Sequence, residues 1–418
     1  MRVLLAMLGA RRRYLVPEVM EELGVLACFI TDTYVGKRRW LQIVARLGRL
    51  LHIKTFQSIG GRNSPRICAR RVVAFQWLGI RYAIFGRFFR IGDARLFASV
   101  NQRFCVKAIP YLRYSDICWA YNGAAQELFE VAKEKNIRCI LEQVIAPRTD
   151  EFRELVRAQQ DWPEWISPED SSRMVVADPL SNRERAEWRL ADTIVVGSRY
   201  VEQCLEGAGV PRSRCAIVPS GIDLDQFRVG MAAQDGRPLR VLFVGQINLR
   251  KGVPYLLEAV RRLNTSQIQL KLIGSVQVKC ECVRGFGQWA SFIGPVPLTE
   301  IAAHYQQADI LVVPSICEGS AMVTYEARAC GVPIIATPNA GAFFSPGVDG
   351  LEIPVRNVDA IMKVLDRLVR NRDEVRNLRE GAIAKRSSLG REAYRERLRN
   401  VLEAVCGQTK VRCTASTI

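Results

Sequence analysis

Short apolar runs alternate with amphipathic segments along the chain, and this alternation constrains the fold more than any other feature. Leu239–Val244 is rich in β-branched residues and ends at Gly245, as expected for a strand followed by a turn. The next segment has helical spacing, and Ile310–Val313 and Pro333–Thr337 are further buried strands around a helix over Ala321–Cys330. Strands that alternate with helices predict parallel sheets covered by helices on both faces.

The first half of the chain repeats this pattern. Apolar runs at Val3–Leu8, Ile117–Tyr121 and Thr193–Val196 predict strands, and Ala124–Lys135 predicts a helix. Because 418 residues exceed one ordinary core, we expect two domains joined at the polar stretch Met231–Pro238. The expected units are an N-terminal domain of residues 1–232, a C-terminal domain of residues 233–388 and, over residues 389–418, a helix that packs back on the first domain, with a loose tail.

Two carboxylates frame the turn that follows the predicted strand Ile310–Val313. Glu318, Gly319 and Ser320 lie in the turn, and Glu326 lies about one and a half turns into the next helix. The carboxyl edge of a parallel sheet is where such folds bind ligands, and the free N–H groups at a helix start favour an anion. The pattern therefore suits a diphosphate held between two polyols, as in a nucleotide sugar.

A second loop, Val244–Gly252, also joins a strand to a helix. Arg250 and Lys251 lie at its end, where positive charge is unfavourable beside a helix start unless an anion is bound. Both side chains are therefore candidates for neutralising the same diphosphate. The alternative is that they belong to a solvated face.

These motifs resemble the retaining glycosyltransferases of family 4, which have the GT-B fold. The resemblance rests on Glu318 and Glu326 in E-x7-E spacing, on the trailing EARACGVP, and on several further motifs in family order: Ala191–Val196 with Ser198, Val218–Asp223 with Phe227, and Lys251-Gly252 with Leu257–Ala259. It implies an α/β protein of two Rossmann-like domains that face each other across a cleft.

The resemblance also implies roles for individual residues. Glu326 would bind the ribose hydroxyls, Glu318 would contact the transferred hexose, and Lys251 with Arg250 would stabilise the departing nucleoside diphosphate. Donor binding would further involve Gly9, Gly245, Gly319, Ser320, Ala321, Met322 and Val323. The implied activity is transfer of a hexose from a nucleotide sugar to a lipid-linked or polysaccharide acceptor in cell-surface glycan biosynthesis, with retention of configuration and without a metal or cofactor.

The sequence departs from the family pattern in places. Gln246 stands where the family often has arginine, and we hypothesise that Arg250 supplies the missing charge. No histidine matches the family's N-domain position near the acceptor, and Glu142-Gln143 is a candidate for that edge. Two alternatives therefore stay open: a catalytically silent partner that binds nucleotide sugars, and a nucleotide-sugar epimerase on the same fold.

The charge is concentrated in one segment. The chain has 60 Lys and Arg against 42 Asp and Glu, a formal net charge of +18. Residues 37–113 contain 17 basic residues and one acid, Asp93, and many aromatics. This basic aromatic insertion predicts contact with an anionic membrane, through Trp77, Arg81, Arg87 and Arg90, or binding of an anionic acceptor.

Several function classes are disfavoured. No apolar run reaches about 18 residues, and no secretory signal is evident, so we expect a cytoplasmic protein peripheral to the inner face of the membrane. Two histidines and cysteines without Cys-x-x-Cys spacing predict no metal site, and Asp223-Leu224-Asp225 is expected to be structural. No nucleic-acid-binding motif is present, so nucleic acid is not an expected partner.

Overall fold

The computed structural model describes residues 1–37, 62–79, 94–166, 178–230 and 236–414. Arg81, Arg87 and Arg90 lie outside the described residues, as does most of the basic aromatic insertion before residue 62. Residues 231–235 of the expected linker also lie outside them. The expectations for these positions stay predictions.

The N-terminal domain is built on a seven-stranded, fully parallel sheet in the order β3-β2-β1-β4-β5-β6-β7. Its strands are β1 (Val3–Met7), β2 (Leu26–Thr31), β3 (Val72–Ala74), β4 (Ile117–Tyr121), β5 (Arg138–Gln143), β6 (Thr193–Val196) and β7 (Cys215–Ile217). The order reverses between β1 and β4, which makes the carboxyl ends of these two strands the expected ligand site.

Helices cover both faces of this sheet. They are α1 (Leu15–Glu22), α2 (Ala94–Ala108), α3 (Gln126–Glu134), α4 (Arg148–Asp161), α5 (Asp178–Leu190) and α6 (Arg199–Gly207). Successive residues of β1 serve the two cores in turn, because side chains alternate across a strand. Val3 and Leu5 pack with Val16 of α1, whereas Leu4 packs with Leu128 of α3 on the opposite face.

The C-terminal domain repeats the design with a six-stranded parallel sheet in the order β10-β9-β8-β11-β12-β13. Its strands are β8 (Leu239–Val244), β9 (Ile268–Ile273), β10 (Ala290–Gly294), β11 (Ile310–Val313), β12 (Ile334–Ala336) and β13 (Gly350–Glu352). Its helices are α7 (Val253–Leu263), α8 (Cys280–Arg284), α9 (Ile301–Gln306), α10 (Met322–Ala329), α11 (Val358–Arg370) and α12 (Arg372–Ala384). The prediction of two Rossmann-like domains is confirmed.

The last helix, α13 (Arg391–Thr414), leaves the C-terminal domain and packs on the N-terminal one. Tyr394, Leu398 and Leu402 join the core that contains Val3 and Val16. The Arg391 guanidinium donates to Glu18 at 2.8 Å and to Glu22 at 2.7 Å, both on α1. The chain thus returns to its first domain.

No helix in the described ranges is long and apolar enough to cross a bilayer.

Candidate active site

The carboxyl edges of the two sheets face each other. The Ser198 hydroxyl, just after β6, donates to the carbonyl oxygen of Gly319, after β11, at 2.5 Å. A Cβ on Gly319 would lie 1.8 Å from the carbonyl oxygen of Val144, which follows β5. The glycine is therefore needed because the backbones of the two domains touch at this point. The resemblance had assigned Gly319 to the donor, and the structure adds this interdomain contact.

Glycines shape the loop between β8 and α7. Gly245 has φ +149° and Gly252 has φ +68°, values that side chains disfavour. A Cβ at Gly252 would lie 1.9 Å from the carbonyl oxygen of Pro314, so the loop presses against the chain after β11. This contact brings Arg250 and Lys251 beside Glu318.

Glu318 forms a largely buried cluster with the two cations. The Arg250 guanidinium donates to Glu318 Oε1 at 2.6 Å and to the Cys317 carbonyl at 3.0 Å, and the Lys251 ammonium contacts the same carboxylate oxygen. Burial alone would raise the pKa of Glu318, but the charges of Lys251 and Arg250 outweigh it and lower the pKa. Two cations on one carboxylate leave a net positive charge that a ligand anion can use.

Helix α10 begins beside this cluster with free donors. Ala321 precedes its first turn and makes no side-chain cap, and that turn contains no acidic residue. The first N–H groups of a helix lack intrahelical acceptors, so Met322 and Val323 present amides to the cleft edge. The hydroxyls of Ser320 and Tyr325 form a hydrogen bond of 2.8 Å. This end of the helix favours a phosphate.

Glu326 lies on the same helix but contacts other side chains than Glu318 does. The Tyr305 hydroxyl of α9 donates to Glu326 Oε2 at 2.8 Å, and an Arg13 guanidinium nitrogen lies 3.7 Å from Oε1. Burial raises the pKa of Glu326, against the Tyr305 hydrogen bond and the charge of Arg13. Neither Tyr305 nor Arg13 was among the residues expected from the sequence, because each reaches Glu326 from an element distant in the chain.

Glu326 and Arg13 line an open cleft of about 720 Å³. Met322 and Arg12 also line it, as does the interdomain segment Gly221–Phe227. Glu318, Arg250 and Lys251 are not among its lining residues. The described structure therefore places the expected residues in two neighbouring groups that share helix α10 and the turn before it.

On the N-terminal side of the site, the two positions expected from the sequence, Gly9 and Glu142, are both engaged in contacts within their own domain. Gly9 has φ +78° and its amide donates to Asp32 Oδ1 at 2.9 Å. Glu142 is only 1% exposed, lies 3.2 Å from the Arg12 guanidinium and accepts from the Trp119 indole at 3.1 Å. It is therefore held in an ion pair rather than free at the acceptor edge.

The Asp223-x-Asp225 motif forms a local turn. The amide of Asp225 donates to Asp223 Oδ1 at 3.0 Å. Within the described residues, no three His, Cys, Asp or Glu side chains come together in a group that could hold a metal ion.

The described part of the basic aromatic insertion exposes apolar and basic side chains together. Trp77 is 80% exposed, and Val106 and Tyr114 are each 52% exposed. Arg103 and Lys107 are exposed beside Val106 on α2. The Lys107 ammonium lies 6.0 Å from the ring centre of Phe75, two residues from Trp77, which joins Trp77 and α2 in one region.

Comparison with known proteins gives matches in both sequence and fold. Residues 238–371 match the family model described as Glycosyl transferases group 1. D-inositol 3-phosphate glycosyltransferase of Geodermatophilus obscurus is 31% identical over 193 residues, 40% of this chain and 43% of that protein. The chain spans about half the length of the curated relatives it matches.

Two solved structures cover nearly the whole chain. Sucrose-phosphate synthase from Thermosynechococcus elongatus superimposes with a TM-score of 0.69 at 19% identity, over 97% of this chain and 99% of that one. Anabaena HepE in complex with UDP-glucose gives a TM-score of 0.60 at 12% identity, over 97% and 100%. The fold is therefore GT-B, and the family match supports a group 1 glycosyltransferase.

Proposed function

We propose that this protein is a retaining glycosyltransferase that moves a hexose from a nucleotide sugar to a lipid-linked or polysaccharide acceptor. The observation that carries the proposal is the largely buried cluster of Glu318 with Arg250 and Lys251, next to the uncapped start of α10. An excess cation and free amides at one point suit a diphosphate better than any neutral ligand. The Anabaena protein with the same fold is recorded with UDP-glucose.

Each group has a role in this proposal. Glu326 binds the ribose hydroxyls, and Tyr305 holds one of its oxygens. The turn Gly319–Ala321 and the amides of Met322 and Val323 hold the sugar and the diphosphate, with Gly9 and Gly245 close to the phosphates. Glu318 contacts the hexose, while Lys251 and Arg250 stabilise the leaving nucleoside diphosphate.

The reaction needs positive charge more than it needs a strong base. The bond between the anomeric carbon and the phosphate oxygen breaks while the acceptor oxygen attacks the same face. The acceptor's proton passes to the leaving phosphate oxygen, so no side chain must accept it. Lys251 and Arg250 stabilise the charge that develops on the diphosphate, which allows the reaction to run without a metal.

The position of Arg250 bears on the silent-partner alternative. Gln246 lacks the charge that the family often has there, but Arg250 reaches Glu318 at 2.6 Å from the same loop. A binding partner for nucleotide sugars would use the same two cations for the diphosphate. The contact therefore supports donor binding, and donor turnover separates an active enzyme from a silent partner.

The basic face of the N-terminal domain favours an acceptor at a membrane. Arg103 and Lys107 are exposed beside Val106. Cations that surround apolar side chains suit the surface of an anionic bilayer. We therefore propose that the protein works at the cytoplasmic face of the membrane as a peripheral protein.

The test is donor turnover with UDP-, GDP- and ADP-hexoses, in the wild type and in Glu326→Gln and Lys251→Met. We expect each variant to lose about 10²- to 10³-fold in kcat/KM, as when one transition-state contact is removed. Glu396→Gln, on the exposed outer side of α13, is the matched control and should keep full activity. Unchanged turnover in both site variants, with the same melting temperature, would refute the proposal.

A further inference from the structure

The turn after β1 has an unusual backbone. Arg12, Arg13 and Tyr14 have φ values of 45°, 51° and 67°, so three successive residues that are not glycine are left-handed. Each such residue is unfavourable because its Cβ approaches the following carbonyl, and such outliers concentrate at functional sites. The turn lies at the carboxyl end of β1, at the point where the strand order of the sheet reverses.

Two anchors hold this turn in place. Arg12 is largely buried, with 12% of its side chain exposed, and pairs with Glu142 at 3.2 Å. The ring of Tyr14 is buried edge-on against Phe29 and Tyr34, with centroids 5.7 Å away in each case. These contacts fix the residues on both sides of Arg13 and therefore fix the direction in which the Arg13 side chain leaves the backbone.

The Arg13 side chain itself is half-exposed at the edge of the cleft. It is 54% exposed and lines the cleft with Met322. In the structure it lies 3.7 Å from Glu326 Oε1 of the other domain and donates to Gln226 Oε1, in the interdomain segment, at 3.3 Å. The pair is long, and water screens the half-exposed guanidinium, so this contact is weak although Glu326 itself is buried. A ligand with a stronger negative charge can replace it.

We propose that Arg13 is a phosphate-binding residue that ties the two domains together when the cleft is empty. In the free protein it occupies the Glu326 oxygen that Tyr305 leaves open. When a phosphate-bearing ligand enters the cleft, Arg13 exchanges Glu326 for the phosphate, and the carboxylate becomes available for hydroxyl groups. The inference rests on the proposed function for the role of Glu326.

The phosphate has two possible sources with the same chemistry. One is the diphosphate of the nucleotide donor, which would lie at the start of α10 beside Met322. The other is a phosphate of the acceptor, which would enter from the N-terminal side. A guanidinium that projects from a fixed turn into an open cleft can donate hydrogen bonds to a phosphate from either source.

The experiment compares ligands with and without phosphate on Arg13→Gln, Arg13→Lys and the wild type, by calorimetry on the full chain. The probes are inorganic pyrophosphate, the nucleoside diphosphate among UDP, GDP and ADP that binds best, its nucleoside, and a polyprenyl phosphate in detergent. We expect Arg13→Gln to bind a phosphate probe at least tenfold more weakly, and the nucleoside equally well or up to about threefold more tightly. Arg13→Lys should recover part of the loss.

Weaker binding of the phosphate probes together with unchanged or tighter binding of the nucleoside would show that Arg13 exchanges Glu326 for a phosphate. A purely structural role of Arg13 would affect both kinds of ligand alike. A loss for the nucleoside diphosphate and pyrophosphate assigns Arg13 to the donor, and a loss for the polyprenyl phosphate alone assigns it to the acceptor. Equal weakening of all ligands, or no change in any, overturns the inference. Arg399→Gln, an exposed arginine of α13, is the control and should change nothing. If the wild type binds none of the three nucleoside diphosphates, the proposed function fails instead.

Discussion

Gly319→Ala is the sharpest perturbation of the domain contact. The added Cβ would lie 1.8 Å from the Val144 carbonyl oxygen and 2.9 Å from the Ile145 Cα. Both atoms belong to backbone, so a rotamer change cannot relieve the overlap. The two domains must separate locally, and the Ser198 hydroxyl must lose its 2.5 Å bond to the Gly319 carbonyl.

The size of the effect follows from the displacement. Real Cβ contacts need at least 3.0 Å, so the turn must move away from Val144 by about 1.2 Å. A misplacement of about 1 Å in a reacting group can cost about 10²-fold in rate. Because Glu318 precedes the altered residue, we expect kcat/KM to fall about 100-fold. The stability cost should be modest, about 1–3 kcal/mol, because each domain keeps its own core.

The assay is donor hydrolysis or transfer, measured with the melting temperature of the same preparation. Gly207→Ala is the matched control, since no atom lies within 4 Å of its added Cβ. This glycine ends helix α6, where alanine is the better helix former, so the control should be as active as the wild type and slightly more stable.

Two results would refute the reasoning. Full activity in Gly319→Ala would mean that the contact with Val144 is not part of the active arrangement. A loss of activity that follows the melting temperature, with the protein partly unfolded under the assay conditions, would mean that the glycine serves stability alone.

Three further predictions concern other parts of the molecule. Tyr305→Phe removes the 2.8 Å bond to Glu326 and should weaken nucleoside diphosphate binding about tenfold in calorimetry, with a loss of about 1–3 kcal/mol of stability because a buried carboxylate oxygen loses its donor. Burial raises the pKa of Glu187 from 4.5 to about 7, so the folded protein holds this proton more tightly than the unfolded chain does. The contribution of Glu187 to the free energy of unfolding is therefore largest below pH 4.5 and falls by about 3 kcal/mol as the pH rises to 7. Glu187→Gln should flatten that part of the pH dependence in urea unfolding, and an unchanged slope would contradict it. Binding to vesicles with anionic lipid should weaken as the salt concentration rises and should fall about tenfold in Arg103→Glu. The control Arg370→Glu, on α11, should bind as the wild type does. Binding that changes neither with salt nor in Arg103→Glu would refute the proposed membrane contact.

The fold could be predicted from the sequence because the signals are local. Each apolar run that ends at a glycine, such as Leu239–Val244 before Gly245, became a strand of a parallel sheet. These glycines are favoured for two reasons: Gly245 has φ +149°, and a Cβ at Gly274, which also has a positive φ, would lie 1.8 Å from the Gly245 carbonyl oxygen. These positions can be recognised in the sequence because only glycine fits them.

The parts of the site that were not predicted depend on contacts between distant segments. Nothing in the stretch AAHYQQAD marks Tyr305 as a site residue, and only the fold brings its hydroxyl to Glu326. The left-handed backbone of Arg12, Arg13 and Tyr14 has no signal in the sequence, since neither arginine nor tyrosine favours positive φ. Its conformation is imposed by the burial of Arg12 and Tyr14, which local sequence does not encode.

In the described structure the carboxylates of the candidate site are already paired with cations. Glu318 holds Arg250 and Lys251, and Glu326 holds Arg13, so three cations face two carboxylates and leave one positive charge. Such pairing keeps the buried groups ionised without a ligand, since an unpaired buried charge is costly. In the proposed function, a diphosphate replaces the carboxylates on these cations, and the freed carboxylates accept hydrogen bonds from sugar hydroxyls. Phosphate recognition and sugar recognition would therefore be coupled, and a ligand with only one of the two should bind more weakly than one that carries both.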